Sequence, residues 1–321
     1  MVAEWLGDVG GRAWWRDWLG AVRDPGGSFD VGPPEPSGPG VQRRTVTLAS
    51  YGAALEAVLL IPNTPESGRR LAAVIVPFYE VGTVLGERTA RTRDWTSERL
   101  RGYAYARHLV ARGFAVLAVP WWFEQVANKA PGATALHERY GHAAALHART
   151  HQMTGLGRSV SDLMLAVDAL VTIPGIDPAR VGAFGHSLGA KLSMHLAALD
   201  VRIRATVAHE PGLGFAHSNW SDPWYLGSRV PTDRDQDGIL RLVAPRSFLL
   251  AGGGDSDGPH NREVAERARE AWSDDGLQTL YHDGGHAHSA HVLAACYAWL
   301  ASRLGGTDPL LFGGNLCPGS T

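Results

Sequence analysis

The sequence predicts an α/β protein built on a mostly parallel sheet of eight strands, with helices covering both faces. Two observations carry this prediction. Short apolar runs alternate along most of the chain with longer segments whose apolar residues recur at helical spacing. A strand, the run Gly-His-Ser-Leu-Gly and a helix follow one another within residues 180–199. In sheets of this kind, functional groups collect at the carboxyl ends of the strands.

Each strand is predicted from a short run of apolar and β-branched residues bounded by turn residues. The strands are 43–49, 54–61, 71–77, 114–119, 180–184, 201–208, 246–251 and 277–282. The helices are 96–111, 159–171, 190–199, 261–272 and 290–304, and a tryptophan-rich helix lies within residues 1–22. This alternation supplies helices for both faces of the sheet.

The chain divides into three parts by composition. Residues 1–40 hold the tryptophan-rich helix, which the spacing indicates is packed on the body, and a Gly/Pro-rich connector from residue 24. Residues 41–305 hold all the predicted strands and form the main domain. Residues 306–321 are expected to be a tail.

Two connections within the main domain are too long to be simple loops. They span residues 121–154 and 211–238, and each starts where a strand ends. Long insertions of this kind are commonly lids or binding loops. Four tryptophans in them are candidates for the walls of a pocket that binds an apolar or aromatic group: Trp121, Trp122, Trp220 and Trp224. Packing of the insertions onto the body explains these side chains equally well.

The composition excludes several classes of partner. The net charge is −2 with the signs interspersed, so there is no basic surface for nucleic acid. Membrane spans need about 18 consecutive apolar residues, and no run approaches this length. The first residues lack the pattern of a secretory leader, so a cytoplasmic protein that acts on a small molecule is expected, with a homo-oligomer left open. Cys296 and Cys317 indicate neither a disulfide nor a metal site.

Ser187 is the strongest candidate for a reactive side chain. It lies at the centre of Gly185-His186-Ser187-Leu188-Gly189, between an apolar strand and an apolar-periodic helix. A tight turn at this junction pushes the serine hydroxyl out at the top of the sheet, and the flanking glycines let strand and helix pass closely. The pattern is therefore typical of a nucleophilic serine.

An acid and a histidine follow in the chain order that such a serine needs. Asp255 comes after strand 246–251 and three glycines, and His286 comes after strand 277–282. We expect His286 to lie between Ser187 and Asp255, with His286 as the base and Asp255 as the acid that orients it. Asp257 is expected to accept N–H bonds at the start of the next helix instead. Glu210 follows the preceding strand and is the second choice for the acid.

The chain resembles the bacterial α/β-hydrolases of the acetyl-xylan-esterase and dienelactone-hydrolase-like branch. The matching motifs span about residues 45 to 303: Gly155-Leu156-Gly157, Asp162, Ala166 to Leu170, Ile176 to Gly182, the turn around Ser187, Leu196 to Ile203, Ala244-Pro245-Arg246, and Gly285-His286. The resemblance implies an α/β-hydrolase fold with lid-like insertions, and it makes residues 41–305 the catalytic domain. It also implies a serine esterase that cleaves a small-molecule ester through an acyl-enzyme, without a cofactor.

The same fold implies an oxyanion hole. One donor is the backbone N–H after the nucleophile, here Leu188, and the second comes from the loop after the third strand. Phe78 and Tyr79 are the candidates for the second donor, and the Tyr79 hydroxyl is a possible substrate contact, since the loop lacks the His-Gly or Gly-Gly of many relatives.

Three further interpretations stay open or are set aside. A lyase that eliminates an acyl group, or an acyltransferase, would use the same serine and histidine. A non-catalytic binding protein is disfavoured, because all three triad residue types occur in order. Several histidines have spacings that suggest a metal: His147 and His151, and His286, His288 and His291. No carboxylate or thiolate completes either set, so no metal is expected.

Overall fold

The computed structural model describes residues 9–20, 24, 26–63, 70–127, 135–253 and 257–305. The strands in the described residues are β1 (Ser28–Val31), β2 (Glu35–Pro36), β3 (Val41–Ser50), β4 (Ala53–Pro62), β5 (Leu71–Phe78), β6 (Ala115–Pro120), β7 (Ile176–His186), β8 (Ile203–His209), β9 (Ser247–Gly252) and β10 (Leu277–Tyr281). They form one sheet in the order β1-β3-β4-β6-β5-β7-β8-β9-β10, with β2 also paired to β3.

The sheet has a parallel part and an antiparallel edge. Neighbouring strands are parallel from β6 through β5, β7, β8 and β9 to β10. The pairs β1–β3, β2–β3, β3–β4 and β4–β6 are antiparallel. The predicted fold class is confirmed, and β3 to β10 correspond to the eight predicted strands. Strands β1 and β2 lie in the predicted connector and were not expected, because they are short, mostly exposed strands that depend on pairing with β3.

The helices in the described residues are α1 (Val9–Leu19), α2 (Val81–Val84), α3 (Ser97–Gly102), α4 (Tyr105–Val110), α5 (Trp122–Val126), α6 (Leu136–Thr150), α7 (Gly155–Thr172), α8 (Leu188–Leu199), α9 (Asp237–Arg241), α10 (Arg262–Arg269) and α11 (Ala290–Leu304). The predicted helix 96–111 is two short helices, because Ala104 has a ψ of 48°, outside the helical region. Each of these helices is too short or too polar to span a bilayer.

Apolar cores lie on both faces of the sheet. Along β5, Ala73 and Ile75 point into the core that contains α7 and α8, while Val74 and Val76 point into the core that contains α4 and α11. A strand buried on both sides has no polar face, which is why β5 reads as an uninterrupted apolar run in the sequence.

The tryptophan-rich helix α1 packs on the body, as predicted. Trp15 and Leu19 lie in the core, at 4% and 0% exposure. The buried Arg12 guanidinium donates to the carbonyl oxygens of Ala198 and Leu242, both at 2.8 Å. These carbonyl oxygens lie at the carboxyl ends of α8 and α9, where the helix itself has no N–H group left to bond them. Arg12 of α1 therefore caps the carboxyl ends of two helices of the main domain.

The two long insertions pack on each other. The Trp224 ring lies 5.4 Å from the Tyr140 ring and 4.9 Å from the His137 ring, between ring centres. Residues 128–134 of the first insertion lie outside the described residues. The described parts of the two insertions therefore contact each other, although one follows β6 and the other follows β8.

Candidate active site

Ser187 occupies a strained turn between β7 and α8. Its φ is +56° and its ψ is −118°, a backbone conformation that residues other than glycine rarely adopt. The turn is held by a hydrogen bond from the Ser187 N–H to the His209 carbonyl oxygen, at 2.9 Å. Strain of this kind persists only where surrounding structure fixes it, and it is concentrated at functional sites.

The two glycines that flank the serine are required by close backbone approach. A Cβ on Gly185 would lie 2.0 Å from the Gly189 carbonyl oxygen, and a Cβ on Gly189 would lie 2.3 Å from the Pro77 carbonyl oxygen. Both distances are far below van der Waals contact. The Gly-x-Ser-x-Gly spacing therefore reflects how tightly β5, β7 and α8 converge at this point.

His286 lies against the serine. Its Nε2 is 2.9 Å from Ser187 Oγ, although the two residues are 99 positions apart in the chain. The histidine belongs to the loop after β10, and its side chain is about half exposed, at 49%. Burial, with a smaller effect from the Lys191 cation, lowers the pKa of His286. The ring is therefore neutral, and able to accept a proton, over most of the physiological pH range.

Glu210 is the carboxylate that the described residues place beside His286. It is the first residue after β8, is 1% exposed, and has a φ of +55°. Its Oε2 lies 3.9 Å from His286 Nδ1, within ion-pair distance but longer than a direct hydrogen bond. Its Oε1 accepts the N–H of Gly253 at 2.7 Å. Asp255, the first choice for the acid from sequence, lies outside the described residues.

Asp257 has a role other than the predicted helix cap. It is fully buried, and its carboxylate accepts the N–H groups of Gly212 and Leu213 at 2.6 and 2.8 Å. It also accepts from the Asn261 side chain at 3.2 Å. The backbone N–H groups it satisfies thus belong to the second insertion and not to the helix that follows it. Local sequence spacing cannot indicate such a contact between distant segments.

Replacing Asp257 by asparagine is expected to destabilise the protein by about 1–3 kcal/mol, because the amide group offers an N–H to one of the two buried donors and leaves it unsatisfied. Urea denaturation measures the loss. Asp275→Asn, at an exposed position, is the matched control and should shift the free energy of unfolding by less than about 0.5 kcal/mol. Equal effects in the two variants would contradict the structural role of Asp257.

The candidate oxyanion donors lie where β5 meets α8. Leu188 is the first residue of α8, so its N–H has no acceptor within the helix. Phe78 ends β5, Tyr79 follows it, and the close approach of Gly189 to Pro77 brings this strand end against the start of α8. The Arg91 guanidinium stacks on the Tyr79 ring at 3.7 Å, and this ring also packs against Trp121 and Tyr140 of the first insertion.

The four tryptophans are packed inside the body. Their exposures are 2% for Trp121, 5% for Trp122, 0% for Trp220 and 1% for Trp224, and all belong to the larger core. The indole N–H groups of Trp121 and Trp220 donate to Ser159 Oγ and the Gly212 carbonyl oxygen. These contacts favour the packing interpretation over that of pocket walls, because side chains with at most 5% of their surface exposed offer little area to a substrate.

Lys191, one turn of α8 beyond Ser187, was not identified from sequence. It is buried, and it donates to the Pro211 carbonyl oxygen and to Ser218 Oγ, both at 2.7 Å. Its ammonium lies 3.8 Å from the centre of the Trp220 ring. Burial lowers the pKa of Lys191 to about 7. The side chain thereby anchors the second insertion beside the nucleophile.

Four further histidines surround the base, and sequence reasoning named only one of them, His288, as part of a cluster. His186 Nδ1 is 2.7 Å from His209 Nδ1, and His209 Nε2 is 3.0 Å from His282 Nε2. His186 and His209 are register partners at the ends of β7 and β8. Burial lowers the pKa of both well below the ordinary value. Polar residues that end neighbouring parallel strands were the signal available in the sequence.

Of the histidines suggested as metal ligands by spacing, His147 is packed in the core and His291 is exposed. His147 is buried against Trp122 and Phe123, and its Nε2 is 3.0 Å from the Met153 carbonyl oxygen. His291 is exposed on α11.

A cleft of about 720 Å³ adjoins the loop that carries His286. Tyr103 and His288 lie in its wall, together with Arg99, Arg101 and Arg112. Ser187 does not line it, so this cleft is a neighbour of the reacting serine and not the reaction centre itself.

Solved structures share this fold. The chain superposes on a glucuronoyl esterase from Solibacter usitatus with a TM-score of 0.66 at 17% identity, over 88% of this chain and 87% of that one. An acetyl xylan esterase from a Paenibacillus species gives 0.61 at 13% identity, over 92% and 95%. Acetyl xylan esterase 1 from a Thermoanaerobacterium species gives 0.56 at 16% identity, over 92% and 93%. No curated protein matches the chain.

The sequence pattern of the dienelactone hydrolase family matches residues 101–291, more than half of the chain. The matched region contains Ser187, Glu210 and His286. The resemblance drawn from the sequence motifs is thereby confirmed. The chain belongs to the dienelactone hydrolase family, and it is a hydrolase of the esterase type.

Proposed function

We propose that the protein hydrolyses a carboxylic ester of a small molecule through an acyl-enzyme on Ser187. The 2.9 Å contact between Ser187 Oγ and His286 Nε2, at a strained strand-to-helix turn, carries the proposal. A neutral imidazole at this distance can take the hydroxyl proton as the oxygen attacks, which turns a weak nucleophile into an effective one.

The reaction proceeds in two halves. Ser187 Oγ bonds to the ester carbonyl carbon while its proton passes to His286. The tetrahedral intermediate then collapses, the alcohol oxygen leaves with that proton, and the acyl group stays on the serine. Water repeats the sequence on the acyl-enzyme, with His286 taking the water proton and returning it to Ser187 Oγ as the acid is released.

Two groups of the chain support this chemistry. Glu210 orients His286 and stabilises its cation, because it is the buried carboxylate that faces Nδ1 in the described residues. The Leu188 N–H receives the oxyanion together with a second N–H from Phe78 or Tyr79. Donors fixed before the reaction stabilise the developing charge without reorganisation.

The structural neighbours suggest the class of ester that the protein cleaves. The structural neighbours named above are glucuronoyl and acetyl xylan esterases, so acetylated and uronic-acid esters of sugars join simple alkyl esters as candidates. The tests are labelling by a fluorophosphonate probe and turnover of p-nitrophenyl esters of increasing acyl length. The first examines the nucleophile and the second the size of the acyl pocket.

A cytoplasmic location and the absence of nucleic-acid partners stay predictions.

Elimination of an acyl group, or its transfer to another acceptor, would use the same serine and histidine. Product analysis in isotopically labelled water separates these reactions from hydrolysis. Incorporation of one labelled oxygen into the released acid is the expected result, and an unlabelled product would replace hydrolysis by elimination or transfer.

The pH dependence follows from the lowered pKa of His286. Only the neutral imidazole accepts the serine proton, so kcat/KM should rise with pH through one ionisation and then level off. Because burial lowers the pKa, the midpoint should lie below the value of about 6.5 for a free imidazole. Initial rates with a neutral ester across mildly acid to mildly alkaline pH measure it. A flat profile would count against His286 as the base.

A further inference from the structure

Three side chains of the kinds that bind divalent metals meet next to His286. They are His209, Glu210 and His282, and one ligand atom of each lies within 4.8 Å of the other two. His209 Nε2 and His282 Nε2 are 3.0 Å apart, and His282 Nε2 is 3.6 Å from Glu210 Oε1. Ligands bonded to tetrahedral zinc at about 2.0–2.1 Å are separated by about 3.3 Å. The two distances bracket that separation.

We propose that these three residues, called the His209 site below, bind a divalent transition metal, with Zn²⁺ as the best-matched ion. Two imidazoles and one carboxylate form a ligand set that zinc commonly uses, with a fourth position for water. Neither of the two histidine sets suggested by sequence spacing takes part. Glu210 directly follows His209 at the end of β8, and folding brings His282, which follows β10, beside both.

The ligands are already held in place by neighbouring groups. His209 Nδ1 pairs with His186 Nδ1 at 2.7 Å, which directs His209 Nε2 toward the site. Glu210 Oε1 accepts the Gly253 N–H at 2.7 Å. Contacts of this kind orient metal ligands and tune their affinity. The His282 side chain is 10% exposed, so an ion can reach the site from solvent on that side.

Metal binding replaces two hydrogen bonds of the His282 ring, one from the Gly284 N–H and one to His209 Nε2, by coordinate bonds from both Nε2 atoms. The Gly284 N–H donates to His282 Nδ1 at 3.2 Å, which places the proton of the neutral His282 ring on Nε2, between it and His209. On binding, that proton moves to Nδ1 and the Gly284 bond is lost. Both Nε2 lone pairs then face the ion.

Occupancy of the His209 site should inhibit ester hydrolysis, a consequence that rests on the proposed function. Glu210 Oε1 lies in the site while Oε2 faces His286 Nδ1 at 3.9 Å. A dication on this carboxylate offsets the negative charge that stabilises the His286 cation during proton transfer. Removal of the metal by a chelator should restore turnover.

The test begins with chelator-treated, dialysed protein titrated with Zn²⁺ by calorimetry. Wild-type protein should bind one equivalent saturably, and Co²⁺ should give the visible absorption of a tetrahedral site. His282→Gln should weaken zinc binding by about 100-fold or more, beyond what loss of an outer-shell partner produces. His291→Gln, an exposed histidine close in the chain, is the matched control and should bind as wild type does. Ser187→Ala should also bind normally, which separates this result from the proposed catalytic mechanism.

Two outcomes would overturn the proposal. One is the absence of saturable one-to-one binding by the wild-type protein. The other is binding that survives His282→Gln but is lost in His286→Gln, which would place the ion on the base. Should His282→Gln fail to fold, crystals of the wild-type protein soaked in Zn²⁺ decide the matter. An anomalous-scattering peak among His209, Glu210 and His282 supports the site, and a peak elsewhere, or none, contradicts it.

Discussion

Replacement of Ser187 by alanine is expected to leave the fold intact and to lower kcat by about 10³-fold or more, the scale seen when a triad nucleophile is removed. The fold should survive because the turn is held by the backbone bond from the Ser187 N–H to the His209 carbonyl oxygen, which alanine retains. Turnover of a p-nitrophenyl ester and fluorophosphonate labelling measure the loss, with circular dichroism as the check on folding.

Ser193→Ala is the matched control for this variant. Ser193 lies in the same helix, is fully buried, and its hydroxyl has no hydrogen-bond partner among the described residues. Its loss should leave both turnover and labelling close to wild type. Near-normal turnover in a folded Ser187→Ala protein would contradict the proposed acyl-enzyme mechanism.

Glu210→Gln is expected to lower kcat by about 10⁴-fold, as happens when the orienting acid of a triad is replaced by its amide. An amide does not stabilise the His286 cation, and its NH₂ group can favour the wrong imidazole tautomer. The midpoint of the kcat/KM profile should also fall, because loss of the negative charge lowers the pKa of His286. A purely structural role would not shift that midpoint.

Asp255→Asn is the matched comparison, since it makes the same carboxylate-to-amide change at the position that sequence reasoning ranked first. With Glu210 as the acid, this variant should keep activity within a few-fold of wild type. A collapse of activity in Asp255→Asn with retention in Glu210→Gln would return the role to Asp255. Equal losses in both variants would exclude a single orienting acid.

The sequence by itself determined the features that depend on local pattern. The segments that became β3 to β10 are short runs of apolar and β-branched residues bounded by turn residues, so these strands could be predicted from local pattern. The turn around Ser187 is specified by the two glycines, because no other residue fits the backbone contacts at Gly185 and Gly189. The position of His286 in a glycine-containing loop after the last strand could be predicted from chain order alone.

Only the tertiary structure decided which groups meet at that turn. Strands β7 and β8 lie side by side with His186 opposite His209, so Glu210 emerges next to Ser187. Sequence order offered both Asp255, as first choice, and Glu210, since each follows a strand, and spacing carries no information about strand adjacency. Trp220 and Trp224 were equally ambiguous, because an aromatic side chain in a loop can face a ligand or the core. The burial of these tryptophans depends on contacts between segments that lie far apart in the chain, and so does the cluster of His209, Glu210 and His282. Such contacts form only when the sheet and its insertions pack together.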